Sequence, residues 1–255
     1  MAERVTITLA LAALAFFPGA AFAADSTASP SPSPPPPAFV SAEDELSPQY
    51  YGEAGSSNVV NVRAQLPYDG GAYLLRIKLP IVTGAPPDSV TGAGDLAVWD
   101  FVSSATAHGD WLTGLNARFP TASDSLGSHK YSLGPAFGYT TTTAPWSYGF
   151  AQESYFSIVG SASYPGVAKT KISPNLRRIL SAGWSVGLST MQFTYDWNSN
   201  RWNDVPVGLR VEKRGIAGLA ALDAYAEGER NLAHAPDTPG WTIRTALRWT
   251  FIPSP

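Results

Sequence analysis

The sequence predicts an all-β chain, a transmembrane antiparallel up-and-down β-barrel of about twelve strands. Three observations predict it. Stretches of about ten residues alternate apolar and polar side chains with period two from residue 58 to the C-terminus. Short and long gaps take turns between these stretches, as when tight turns close one rim of a barrel and longer loops the other. Arginine and lysine sit on the polar side of many stretches, and aromatic rings sit near stretch ends on the apolar side.

Composition agrees. Charged residues make up 15% of the chain, against roughly 25% in an ordinary soluble domain. The 23 Gly and 22 Pro suit many turns and few long helices. A net charge of −3 argues against nucleic acid as a partner. With no Cys there is no disulfide, no thiolate nucleophile and no Cys-ligated metal.

Taken in order, residues 1–23 read as a signal peptide. The apolar run 7-ITLALAALAFF-17 precedes Pro18 and Gly19, and 21-AFA-23 is a small-x-small cleavage site. Glu3 beside Arg4 is unusual for the leading segment, and the run is too short to span a bilayer as a helix. No Cys follows the cleavage site, which excludes a lipoprotein. Residues 24–37, with 26-STASPSPSPPPP-37, read as a Pro/Ser linker, either a spacer arm or a disordered tail. Residues 38–255 form the barrel. No later apolar run is long enough for a helical span, so membrane crossing must be by strands.

Eleven strands are expected at about 58–66, 72–82, 94–104, 110–119, 130–141, 146–159, 170–179, 183–196, 202–213, 217–227 and 240–251. The gaps at 67–71, 105–109, 142–145, 180–183 and 214–216 are short. Those at 83–93, 120–129, 160–169 and 228–239 are long, and that at 197–201 is intermediate. An exported chain enters from the periplasm, so this rhythm requires one more upward pass within 38-AFVSAEDELSPQYYGEAGS-56. Its pattern is weak, and it carries Glu43, Asp44 and Glu45; a plug threaded through the lumen is the alternative to a strand. A twelfth strand gives the even number of bacterial single-chain barrels.

Alternation alone does not say which face meets lipid. A charge on the lipid face near mid-bilayer costs roughly 2–4 kcal/mol, so in a membrane the charged face must be the lumen. The expected lumen-lining residues are Arg63, Arg76, Lys78, Arg118, Lys171, Arg177, Arg210, Glu212, Arg244 and Arg248, with Glu153, Asp223 and Glu227 as opposing carboxylates. A net basic lining favours small anionic solutes, carboxylated aromatics among them. The alternative is that these charges pair across a narrow lumen and fill it. The expected partners are outer-membrane lipid, a small organic solute, and the outer-membrane assembly machinery acting on the C-terminal strand that ends at Phe251.

Several stretches resemble a family of bacterial outer-membrane proteins labelled as transporters of the meta-pathway of phenol degradation, some of them carrying a neuromedin U-like label. The pieces are 92-GAGDL-96, 119-FPTASDSLGSHKYSLGPAFGY-139, 172-ISPNLRRILSAGWSVG-187, 195-YDWNSNRWNDVPVGLRVEK-213, 223-DAYAEG-228 and 240-GWTIRTALRWTFIP-253. The resemblance implies an outer-membrane barrel that passes small, often aromatic or hydrophobic, molecules, and it brings no catalytic residues. Ser173 stands where the family usually has Gln, and the chain before Gly55 does not match.

No cofactor, metal site or catalytic residue is expected. His108, His129 and His234 all fall in turns or loops without a second ligand at metal spacing. His108 near Ser103 or Ser104 is the pair that an outer-membrane lipid hydrolase would use. Gly92 and Gly94 precede a strand rather than a helix, so they are no nucleotide loop. Besides a passive channel, three readings stay open. They are a non-transporting structural or binding barrel with 228–239 as contact surface, a lipid hydrolase, and a secreted soluble β-protein.

Overall fold

The structure is a computed structural model. The residues described are 38–50, 54–85, 90–123, 126–216, 219, 221–234 and 240–251. The signal peptide and linker read in the sequence lie outside them. Fourteen strands form one antiparallel sheet. They are β1 (Phe39–Tyr50), β2 (Ala54–Tyr68), β3 (Tyr73–Ala85), β4 (Val90–Ala93), β5 (Leu96–Thr106), β6 (Gly109–Phe119) and β7 (Lys130–Thr143). The rest are β8 (Trp146–Gly160), β9 (Ala168–Ile179), β10 (Trp184–Leu188), β11 (Phe193–Asp196), β12 (Arg201–Lys213), β13 (Leu222–His234) and β14 (Trp241–Phe251).

Two pairs of these are halves of single passes. Both β4 and β5 pair with β3, and both β10 and β11 pair with β9 and β12. The passes therefore number twelve, and β1 pairs with β14 as well as β2, which closes the barrel. Closure removes every sheet edge, the condition for a sheet to stand in hydrocarbon. The uncertain first pass is a strand, with Val40 opposite Phe251 and Tyr50 opposite Trp241. Of residues 44–50 and 54–57, in this run and the next, only the backbone is described.

The expected loop rhythm is largely absent. At the rim near the two termini the connections are 69–72, 107–108, 144–145, 180–183 and 214–221; at the far rim they are 51–53, 86–89, 120–129, 161–167, 197–200 and 235–240. Much of what reads as loop is strand. Residues 83–85 and 90–93 extend the hairpin of β3 and β4, and 228–234 extend β13, which starts five residues after its expected start and ends seven after its expected end. Polar and glycine-rich sequence can stay in a ladder when its backbone is paired on both sides, so composition alone marks it as a break.

The outer face is apolar. Val207, Leu209, Val211, Ile243, Leu247 and Trp249 are all exposed, whereas Glu43, Asn61, Asn116, Ser132, Glu212, Glu227 and Glu229 are buried inside. Rings gather near both rims on the outside. Trp111 packs on Tyr139 and Tyr68 stacks on Tyr73 towards the termini; Phe119 meets Tyr131, and Tyr195 meets Trp197 and Trp202, at the far end. Trp111 and Phe119 stand eight residues apart on one strand, about 27 Å along it at the usual rise. That span suits an apolar band bounded by two aromatic girdles.

One internal irregularity has a clear cause. Pro135 lies mid-strand in β7, where a proline offers no ladder donor. Neither Gly134 nor Pro135 has a partner on β8, whereas Leu133 and Ala136 do. The buried Asn116 side chain restores the lost donor, giving hydrogen bonds to the carbonyls of Gly134 (3.2 Å), Pro135 (3.2 Å) and Ser154 (2.9 Å). A Cβ on Gly134 would come within 2.0 Å of the Ser154 carbonyl oxygen, so this close approach needs glycine. Asn116→Leu leaves these carbonyls without their donor and should destabilise the folded barrel by about 2 kcal/mol. Urea unfolding of the variant in lipid vesicles measures it.

Candidate functional site

The site is the barrel interior. On the wall formed by β1, β2 and β9–β14, alternation turns mostly polar residues inward, and the charged ones among them form a continuous ion-pair cluster. Glu212 on β12 is its hub, lying 3.1 Å from Arg177, 3.2 Å from Arg210, 3.2 Å from Arg214 and 3.9 Å from Arg248. Glu43 on β1 receives Arg63 at 3.1 Å and Arg248 at 2.6 Å, tying the closing seam to the hub. On β13, Glu227 lies 3.8 Å from Arg210 and 2.8 Å from Arg244, which also meets Glu229 at 2.7 Å. The Tyr225 ring lies under the Arg210 guanidinium at 3.5 Å and near Arg248 at 5.9 Å. Six arginines thus share four carboxylates.

The opposite wall, β3 to β8, is built differently. Towards the terminal rim it carries apolar side chains inward: Leu74, Phe101 and Ala136 are buried together, with Trp99 and Leu112 against them. Arg76 lies over the Phe101 ring at 5.5 Å and donates to Gln65 at 2.9 Å. Arg118 lies over Tyr155 at 3.8 Å, Lys171 donates to Gln192 at 2.7 Å, and Glu153 accepts from Trp99 Nε1 at 2.8 Å. Lys78 stands directly across the ladder from Arg63. Asp223 accepts from the Gly215 amide at 3.2 Å and so braces the turn between β12 and β13.

Between the walls lie three cavities. One of about 450 Å³ occupies the side of Asp110, Thr140 and Ser185, towards the terminal rim. A second of about 360 Å³ is lined by Asp204, Asn231 and Thr242, towards the far rim. These two share Ser173, Thr190, Arg210 and Arg248 as lining. A third, about 410 Å³, lies along Trp99 and Phe101 and shares Arg63 and Lys78 with the second.

Thr190 reaches this junction because the ninth pass breaks. Residues 189–192 lie between β10 and β11; the Ser189 amide still donates to Gly208 at 3.1 Å, and the chain leaves the ladder at Thr190. Glu227 accepts from the Thr190 amide (2.9 Å) and hydroxyl (2.8 Å), and Arg210 donates to that hydroxyl at 3.0 Å. The sequence reading runs one strand straight through 183–196 and misses the break, since no Gly or Pro marks it. Glu43, Thr190, Arg214 and Glu229 were also missed. Glu43 hides in a pass whose acids look unlike a strand, and Glu229 in a stretch that reads as loop.

His108 and His129 lie at the terminal and far rims respectively. His108 uses its backbone, accepting from Tyr139 and donating to Thr106, and the His129 ring stacks on Tyr164 at 3.8 Å in the far-rim loops. The Ser103 amide donates to Ala72. Among the described residues no group of three His, Asp or Glu could hold a metal ion.

No family model and no curated protein sequence matches this chain. Solved structures do. An outer-membrane channel from Pseudomonas putida F1 superposes with a TM-score of 0.61 at 14% identity, covering 88% of this chain and 100% of that one. The KdgM porin gives 0.55 at 9% identity, covering 83% and 99%. At such identities the likeness is one of fold, and the fold is that of outer-membrane barrels.

Proposed function

We propose that this protein is a passive outer-membrane channel for small organic solutes, with a preference for anions. The observation that carries the proposal is the pair of cavities joined at Thr190, Arg210 and Arg248 inside a sheet whose outer face is apolar. Water-lined chambers that share walls can pass a solute from the far rim, taken as the cell exterior, to the periplasmic rim where both termini lie. The preference for anions rests on the ion-pair cluster, in which six arginines share four carboxylates. The resemblance to the phenol meta-pathway family supports organic, including aromatic, solutes. The export segment supports the outer membrane as the location.

Planar-bilayer recording tests this. Refolded protein should give ion currents with a reversal potential displaced towards anions, and Thr190→Trp, which fills the junction of the two chambers, should cut conductance severalfold. Silent bilayers from well-folded protein would defeat the proposal. They would favour a second reading, a sealed structural or binding barrel, which the dense ion pairing and the packed Leu74–Phe101–Ala136 cluster support.

A further inference from the structure

We propose that the outer face around Asp100 is a contact surface for a second copy of this chain, giving a dimer in the membrane. The proposal goes beyond the channel reading and does not depend on conduction. On β5 the buried Ala97 and Phe101 face inward with Trp99, so alternation turns Val98, Asp100 and Val102 outward. A carboxyl therefore stands on the apolar face. The register gives its depth. Asp100 is opposite Leu115, which lies four residues from both Trp111 and Phe119, the rings that bound the apolar band on β6. Asp100 is thus at mid-band, where hydrocarbon supplies no water. Outward arginines are placed differently. Arg178 is opposite Trp146 and Arg230 opposite Trp241, both the first residues of their strands, and so stand near the rims.

A carboxyl in hydrocarbon, charged or neutral, needs polar partners for its oxygens. Tyr68, at the end of β2, reaches past β3 and donates to Asp100 Oδ1 at 2.7 Å. A phenol near a rim ordinarily turns its hydroxyl to water; this one turns to the carboxyl. No described residue donates to Oδ2. Tyr73 stacks on Tyr68 with ring centroids 5.1 Å apart and planes at 16°, and its hydroxyl has no hydrogen-bond partner among the described residues. Thr113, exposed on β6 opposite Val102, has an equally unpartnered hydroxyl among them. One acceptor and two donors are left unused on one face.

That combination selects the occupant. Lipid tails offer neither donor nor acceptor. A two-fold axis along the membrane normal preserves depth, so a second barrel brings the same groups to the same level. Its hydroxyls then meet this carboxyl, and its carboxyl meets these hydroxyls, the reciprocal pairing of an isologous contact. Val98, Val102 and Leu115 surround the carboxyl with aliphatic surface for close packing, and polar contacts between spans hold membrane segments together.

Sedimentation equilibrium of the refolded barrel in density-matched detergent tests this. The wild type should dimerise, and Asp100→Leu should raise the dissociation constant about tenfold or more. Heat-modifiable mobility on gels shows that the variant is folded. Tyr73→Phe keeps the ring stack, removes only the hydroxyl, and should weaken the dimer severalfold. In phospholipid vesicles, oxidation should cross-link Val102→Cys into a dimer, whereas Leu209→Cys, on the opposite side of the barrel, should stay monomeric. A monomeric wild type, a dimer that both Asp100→Leu and Tyr73→Phe leave equally tight, or cross-linking through Leu209→Cys instead overturns the proposal. So does cross-linking of Val102→Cys in whole cells to a different protein and never to itself, which would assign the surface to that partner.

Discussion

Glu212→Gln is expected to destabilise the barrel by about 3 kcal/mol and to shift its ion selectivity further towards anions. Glu212 is 2% exposed and stands within ion-pair distance of four arginines. Removing one partner of a buried pair leaves uncompensated charge and costs about 3–5 kcal/mol. The lower end applies because Arg214 is more than half exposed and its pairing is therefore screened by solvent. Arg210 and Arg248 keep Glu227 and Glu43, but Arg177 and Arg214 have Glu212 as their ion partner. A second substitution, Arg177→Gln, should therefore recover part of the loss, and a double-mutant cycle in urea measures how much. If the double variant loses the sum of the two single losses, the pair is not coupled and the hub description fails.

Leu209→Arg is the complementary experiment on the outer face. Leu209 lies within β12, 66% exposed, between Leu188 and Gly228. In lipid an arginine there should cost roughly 2–4 kcal/mol, whereas near a rim the cost falls to about 0–1 kcal/mol. Leu232, equally exposed but close to the far end of β13, supplies the rim comparison. Unfolding of both variants in phospholipid vesicles should show this depth dependence. Equal and small costs at both positions would mean that the exposed apolar face does not meet hydrocarbon.

Much of the fold can be read from side-chain alternation, because a period of two survives wherever one face is apolar and the other is not. Stretches such as 202-WNDVPVGLRVEK-213 and 241-WTIRTALRWTF-251 carry that contrast along their whole length, and their strands lie where the pattern puts them. The pattern weakens where the interior itself is apolar. Leu74 and Phe101 point inward, against the rule that apolar side chains face lipid, and nothing local in the sequence distinguishes them from Leu75 or Val98. Partners across the barrel are less legible still. Glu43 meets Arg248 from 205 residues away, and no spacing along the chain encodes that contact. Thr190 becomes part of the interior through a strand break that no glycine or proline announces.

The central claim is that arginines and carboxylates face a wet interior while the aliphatic and aromatic face meets lipid. The chain has no Cys, so single cysteines introduced along β14 report accessibility without background. In lipid vesicles, Thr242→Cys, Arg244→Cys and Thr250→Cys should react with a charged, membrane-impermeant maleimide, and Ile243→Cys, Thr245→Cys and Leu247→Cys should stay protected. Labelling of the second set with protection of the first would contradict the account.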